Sequence, residues 1–413
     1  MQCNCIIIKP TALPSSQLHC RQANALPKGK AMNILNRISE LFTKVQPLPE
    51  GTHHLQSAPE QGKPYRIHLR LLKDGTGMLI FNASTVLHLN PNAAECAYHF
   101  IKGSSPDEAA KQIAARYRVS KDAALKDFTD FADRIQTLIE TPDLDPVSYL
   151  DFDRVAPHSA SLPAPLRLDC ALTYKLPANS TVDYAPAKRV QRELTTAEWQ
   201  TILDKAWSAG IPHVTFTGGE ATLRDDLPQL IARAEANGQV CGLLTDGLKL
   251  TDETYRTALL QTGLDHILFL LQPGNKKSWD ALGSLLPEDI FVTVHLTVNA
   301  ENDGQVNGVL ERLASLGVKS LSVTTTDKSL TSSLPAIHNR AAELGMAMKF
   351  DLPVPYSAEN PVAYETAEDE VPDGAGKAWM YVEPDGDVLP AQGMKGQLLG
   401  NLLNDEWEAI RRA

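Results

Sequence analysis

The stretch Val214-Thr215-Phe216-Thr217-Gly218-Gly219-Glu220, followed by Leu223-Arg224-Asp225-Asp226-Leu227, decides how this chain of 413 residues is read. A run of strand-forming residues stops at two glycines, where backbone can be approached closely because no Cβ intervenes. Glu220 then stands at the carboxyl end of a strand, where parallel α/β sheets gather their ligand-binding groups. A carboxylate beside open backbone carbonyls suits a cationic amine. The same residues also read as a plain strand-to-helix turn whose glutamate favours the next helix N-terminus.

On either side of this stretch the rhythm is strand, helix, strand. Five times a helical pattern ends in glycine and an apolar run follows: Gly210-Ile211, Gly238-Gln239-Val240, Gly263-Leu264, Gly317-Val318 and Gly345-Met346. Glycine accepts the left-handed conformation that ends a helix. The intervals are 28, 25, 54 and 28 residues, and the longest holds two units because Phe291 to Thr297 is a further strand. With Leu166–Thr173 this makes about seven strands of a parallel sheet, spaced as βα repeats. Periodicity does not choose between a closed barrel and an open sheet. Thr195 and Glu198 form a capping box ahead of Trp199, Ile202 and Leu203.

Residues 60–141 follow another pattern. Tyr65, Ile67, Leu69 and Leu71 alternate along one strand, Asp74-Gly75-Thr76-Gly77 is a turn, and Met78–Phe81 and Val86–Leu89 complete a small antiparallel sheet. Three helices follow, starting at Pro91 after Asn90, at Ser105-Pro106, and after Ser120. Phe128, Phe131, Ala132, Ile135, Leu138 and Ile139 give the third an apolar stripe. The Pro-, Asp- and Ser-rich residues 142–164 read as a linker. Residues 1–59 read as an N-terminal extension, mostly disordered. Residues 1–31 hold four bases and no acid, a composition read as translation starting at Met32 rather than Met1.

Composition narrows the function. With 43% apolar and 22% charged residues the chain can build a sizeable core, and no apolar run is long enough to span a bilayer. The formal charge of −11 argues against nucleic acid as a partner. Six scattered cysteines, three of them in the first 20 residues, form no CxxC pair and no disulfide framework, so the cytoplasm is the expected compartment.

The order strand, Gly-Gly-Glu, Leu-Arg-Asp-Asp-Leu, helix, glycine, strand, Leu243-Leu244-Thr245-Asp246-Gly247 resembles the radical S-adenosylmethionine (SAM) superfamily over residues 165–352. The resemblance implies an α/β fold, a partial (β/α)6 TIM-like barrel in which Gly218, Gly219 and Glu220 hold the amino group of SAM. It also implies that Gln272, His295 and Thr324, near later strand ends, face its ribose and carboxylate. Ala221 stands where the family usually has proline. The family also carries CxxxCxxC after the first strand, whose thiolates bind a [4Fe–4S] cluster. Here that register gives Leu176, Ser180 and Asp183. Leucine cannot ligate, serine is a poor match for iron–sulfur chemistry, and Asp183 is at best a rare substitute. No cluster and no metal are therefore expected. A metal site from Asp183, Glu220 and His295 has no support from spacing.

Two further resemblances flank the barrel. Residues 60–141, on Leu79-Ile80-Phe81-Asn82-Ala83-Ser84 through Leu89-Asn90 and the helix order, resemble the PqqD-like peptide-binding domain, or RiPP recognition element, a winged-helix-like α+β module. This implies a leader peptide added as a strand at the sheet edge; the alternative is a degenerate module that only packs. Residues 353–413, with a hairpin over Trp379–Leu389 and Gly400-Asn401-Leu402-Leu403, are similar to the SPASM extension, but Ala391 stands where that family has cysteine. The expectation is a cluster-less pseudoenzyme that binds SAM, a peptide, or both. The alternatives are an active peptide-modifying enzyme using Asp183 or Cys170 as unusual ligands, and a non-radical barrel enzyme.

Overall fold

The computed structural model describes residues 4–8, 47–57, 65–82, 85–117, 119–141, 152–154, 162, 164–178, 180–325, 328–349, 352–365 and 371–412. The chain forms two compact units that part near residue 156.

The N-terminal unit is a six-stranded sheet with three helices. Its strands are β1 (Asn4–Ile8), β2 (Gly51–Gln56), β3 (Arg66–Leu71), β4 (Gly77–Phe81), β5 (Thr85–Leu89) and β6 (Phe152–Arg154), in the order β2-β3-β4-β5-β1-β6. β3, β4 and β5 form the antiparallel meander read from the sequence. β2, antiparallel to β3, and β1, parallel to β5, enlarge it with backbone from the segment read as an extension. Most of that segment, and most of the linker at 142–164, lies outside the described residues.

The helices are α1 (Pro91–Ile101), α2 (Pro106–Tyr117) and α3 (Lys121–Glu140). Asn90 caps α1 through Ala93 N–H, and Ser120 caps α3 through Ala123 N–H, satisfying donors that a helix start leaves without partners. Phe128, Phe131, Ile135 and Leu138 of α3 pack with Ile67, Leu69, Leu79 and Leu87 of the sheet in one core. Within it Glu95 is fully buried and is held by Arg116 Nε at 2.8 Å.

The second unit is a mostly parallel α/β sheet. β7 (Arg167–Thr173), β8 (His213–Gly218), β9 (Val240–Thr245), β10 (His266–Leu270), β11 (Phe291–Val298), β12 (Ser320–Thr325) and β13 (Ala347–Met348) pair in sequence order, every pair parallel. The helices between them are α4 (Thr196–Ser208), α5 (Leu227–Asn237), α6 (Glu253–Leu260), α7 (Lys276–Leu285), α8 (Val306–Ser315) and α9 (Leu334–Glu343). The capping box at Thr195 and Glu198 is complete, and Gly238 ends α5 in the left-handed region (φ 86°, ψ 15°).

The C-terminal residues add β14 (Trp379–Val382), β15 (Asp387–Leu389), β16 (Gly400–Asn401) and the short α10 (Trp407–Ile410). β14 and β15 form the expected hairpin. β14 also runs parallel to β7, pairing Trp379 with Arg167 and Val382 with Cys170, so the ten-stranded sheet is open with β13 and β16 at its edges. The sequence reading gave this stretch only as a hairpin. Three of its four residues are buried, the mark of an interior parallel strand covered on both faces.

Candidate binding site at the strand ends

β7, β8, β9 and β10 end side by side, so the residues after Thr173, Gly218, Thr245 and Leu270 share one end of the sheet. A Cβ on Gly218, whose φ is 132°, would collide with the carbonyl oxygen of Thr173; one on Gly219 would collide with that of Lys175. Backbone cannot move aside as a flexible side chain does, so both positions require glycine. The close approach is used at once. Gly219 N–H donates to Thr173 O at 2.8 Å and Glu220 N–H to Lys175 O at 2.9 Å, fastening the loop after β7 to the end of β8.

Glu220 is 4% exposed. Its Oε1 accepts from Thr222 N–H (2.9 Å), the Thr222 hydroxyl (2.6 Å) and the Thr245 hydroxyl (2.8 Å), and its Oε2 accepts from Asp246 N–H (2.9 Å). A buried carboxylate is tolerated when donors of this kind surround it. Glu220 thus ties β8 to β9. Gly218 O, for its part, accepts Tyr356 N–H at 2.9 Å. The groups that the family resemblance assigns to a cofactor amine are in large part bonded within the protein.

A cavity of ≈ 340 Å³ opens over these strand ends. Leu176 and Ser180 line it from the loop after β7, Gly219 and Glu220 from β8, Asp246 from β9, Gln272 from β10, and Tyr356 and Glu359 from the segment after β13. Asp246 had no assigned role in the sequence reading, although it follows β9 much as Glu220 follows β8. Burial, and secondly the charge of Glu220, push its carboxyl up to about 8. Tyr356 and Glu359 carried no local pattern, since their place depends on long-range return of the chain.

The other expected residues lie elsewhere. His295 is 1% exposed, with Nδ1 3.0 Å from the Ser322 hydroxyl and Nε2 3.1 Å from those of Thr297 and Thr324. Burial lowers its pKa to about 4, so the ring is neutral and both nitrogens have partners. His295 and Thr324 therefore bond to one another and neither lines the cavity. Asp183 has a 76% exposed side chain, 3.9 Å from Lys188 Nζ. Asp183, Glu220 and His295 do not converge, and no group of three His, Cys, Asp or Glu side chains able to hold a metal occurs among the described residues.

The residues after β7 do not fit a [4Fe–4S] cluster. Leu176 packs in a small core with Tyr174, Ala185, Tyr356 and Tyr381, and Ser180 and Asp183 are exposed. Cys170 is fully buried within β7, in the main core, and burial raises its thiol pKa far above the reactive range. The loop is held by other means. Arg189 pairs with Glu365 (2.7 Å) and Glu383 (3.0 Å), and the hydroxyls of Tyr356 and Tyr174 donate to the same two carboxylates.

Among the described residues, no helix is long and apolar enough to cross a membrane.

Comparison with known proteins agrees with this fold. Residues 170–326 match the Radical SAM superfamily. A PqqA peptide cyclase of Granulibacter bethesdensis is 33% identical over 30% of this chain and 34% of its own length. A PqqA peptide cyclase of a Methylobacterium species is 28% identical over 56% of this chain and 67% of its own. The chain thus spans about a third of the first relative and about two thirds of the second. Among solved structures, Streptococcus suis SuiB bound to the precursor peptide SuiA is similar with a TM-score of 0.55 and 15% identity, over 87% of this chain and 89% of that one. SuiB bound to S-adenosylmethionine gives 0.54 and 14%, over 83% and 85%. At such identities the likeness concerns the fold. Residues 170–326 therefore match a radical SAM superfamily domain, in a chain similar over about half its length to PqqA peptide cyclases.

Proposed function

We propose that this chain is a cluster-free binding protein of the radical SAM fold, related to peptide-maturation enzymes, whose ligand sits in the cavity at the ends of β7–β10. One observation carries the reading: the loop after β7 offers an aliphatic group, an alcohol and an exposed carboxylate where three thiolates are required. Without a cluster there is no electron source for reductive cleavage of SAM, and no reaction is assigned. A peptide partner is supported by the PqqA peptide cyclase relatives and by the SuiB fold, which in that protein binds a precursor peptide. The N-terminal unit is the proposed peptide-binding, PqqD-like module, and β14–β16 the remnant of a SPASM-like extension.

SAM itself fits the cavity incompletely. Gly218 O and Glu220 are already bonded, and among the described residues no Lys or Arg lines the cavity to meet a carboxylate.

The test is anaerobic reconstitution with iron and sulfide, followed by iron analysis, absorption near 400 nm and assay of 5′-deoxyadenosine with SAM and dithionite. The expected result is no stoichiometric iron, no broad band and no product above background. Stoichiometric iron with the band would overturn the proposal and restore the active-enzyme reading with unusual ligands.

A further inference from the structure

In the N-terminal unit β5 is flanked by two different kinds of pairing. On one side it continues the meander, antiparallel to β4. On the other it runs parallel to β1, with Asn4, Cys5, Ile6 and Ile7 opposite Thr85, Val86, Leu87 and His88. Among the described residues this is the one parallel pair of the unit; β2 with β3, β3 with β4, and β1 with β6 are antiparallel. β6 pairs with β1 and not with β5, so among the described residues β1 alone covers that edge of β5.

Sequence sets β1 apart as well. β3, β4 and β5 follow one another between Arg66 and Leu89, whereas residues 9–50 separate β1 from β2. A parallel pair is slightly less stable per residue than an antiparallel one, and a longer connection costs more entropy to close. With five residues, β1 is held less firmly than the meander strands. The edge it covers carries backbone N–H and C=O groups that demand a partner. Its own sequence, Asn-Cys-Ile-Ile-Ile, ends in the β-branched residues that pleated strands favour. An edge that accepts this segment from a distant part of the chain accepts an extended segment of the same kind from another molecule.

We propose that β1 is a built-in competitor: residues 4–8 block the β5 edge against an extended, β-branched peptide, and such a peptide binds by taking the place of β1. The inference rests on the reading of this unit as a peptide-binding module and names the regulation of that site. When β1 leaves, β6 loses the partner through which it joins the sheet, so the two strands go together. Affinity for a peptide is then discounted by the share of molecules in which β1 is seated. With β1 out in about one molecule in ten, the apparent affinity is about a tenth of the intrinsic one.

Fluorescence anisotropy of the full chain tests this, with a labelled peptide of residues 1–12 in which serine replaces Cys3 and Cys5. Proline has no N–H and interrupts a ladder, so Ile6→Pro/Ile7→Pro, at adjacent residues, breaks the pairing of β1 on both its sides. The peptide is expected to bind this variant at least about tenfold more tightly than the wild type. Amide exchange at Val86, Leu87 and His88 should quicken in the variant and slow again when peptide is added. The opposite variant, Cys3→Ser/Cys20→Ser/Val86→Cys, places a second thiol in register with Cys5. Oxidised, it should hold β1 in place and bind no peptide, and dithiothreitol should restore binding; it serves if the proline variant fails to fold. A disulfide that does not form would deny the register and with it the proposal. Equal binding by the wild type, the proline variant and the oxidised chain would overturn the proposal and leave the unit a peptide-binding module. Binding by none of them at millimolar peptide would overturn both. A proline variant that dimerises and binds no peptide would overturn the proposal by assigning the edge to a second copy. Because iron plays no part in these titrations, their outcome is separate from that of the reconstitution.

Discussion

Arg189 grips Glu365 through both carboxylate oxygens, at 2.7 and 2.9 Å from Nη2, while its Nη1 lies 3.0 Å from Glu383. These contacts join the loop after β7 to the segment after β13 and to the turn after β14. Burial raises the pKa of Glu383, which the Arg189 charge and the Tyr174 hydroxyl oppose. The three charged side chains are 16%, 13% and 5% exposed, so this is an interior network that depends on each partner. Arg189→Ala leaves two acids with nothing to balance them, and is expected to cost roughly 3–5 kcal/mol in denaturant unfolding. Protease cleavage after Lys175 or Lys188 should also quicken. Unchanged stability would show that the hydrophobic contacts of Tyr174 and Tyr356 suffice.

Gly218 and Gly219 are expected to be more sensitive to alanine than any surface glycine of this unit. At Gly218 a side chain meets both an unfavourable φ of 132° and the Thr173 carbonyl. The strain alone is worth about 1–3 kcal/mol, and the clash adds to it. Gly274→Ala is the control, because nothing lies within 4 Å of a Cβ there. Thermal melting of the three variants should show large losses for the first two and almost none for the third.

Local features of the fold were legible in the sequence, because a helix cap or a helix-ending glycine is decided by a few neighbouring residues. Asn90, Ser120, Thr195 and Gly238 act in the structure as the sequence implied. The pairing of β14 with β7 was not legible, since its partners lie some two hundred residues apart and no local pattern names them. The site was half legible. Gly-Gly-Glu announced a strand end with open backbone, but whether that backbone was free depended on Thr173, Lys175 and Tyr356, each brought by tertiary folding. His295 and Thr324 sit at suitable strand positions, but that neighbouring hydroxyls satisfy the imidazole depends on the pairing of β11 with β12, which no local pattern names.

Glu220 is expected to behave as a structural residue before it behaves as a ligand. Glu220→Ala strips the acceptor from Thr222 N–H, Thr245 Oγ1 and Asp246 N–H, all of them buried. A hydrogen bond to a charged group is worth about 1.5–3 kcal/mol, so the loss should be roughly 3 kcal/mol or more in unfolding free energy. The same change removes a negative charge beside Asp246, so its pKa should fall from about 8 without returning to the ordinary value, because burial is the larger cause. NMR titration of the Asp246 carboxyl carbon in the folded Glu220→Gln variant checks this. An unmoved pKa would assign the whole shift to burial.

His213 and His266 meet across Gly242, with their Nε2 atoms 2.8 Å apart, and a Cβ at residue 242 would strike the His266 ring. One nitrogen must donate and the other accept, so the contact excludes protonation of both rings at once. Burial is the first cause that lowers both, His213 well below 6.5 and His266 to about 3, and His295 to about 4. In the unfolded chain each of these histidines takes up a proton near 6.5, while the folded protein refuses it. Stability is therefore complete above that pH and falls as pH drops towards the folded values, by about 1.4 kcal/mol per pH unit for each histidine. Asp246, whose raised pKa acts in the opposite sense between pH 5 and pH 7, offsets part of this fall, so urea midpoints should still drop from pH 7 to pH 5 and His295→Gln should make the slope shallower. A flat profile across this range would mean that the native state accepts protons at these rings, and that the His213–His266 contact opens without cost.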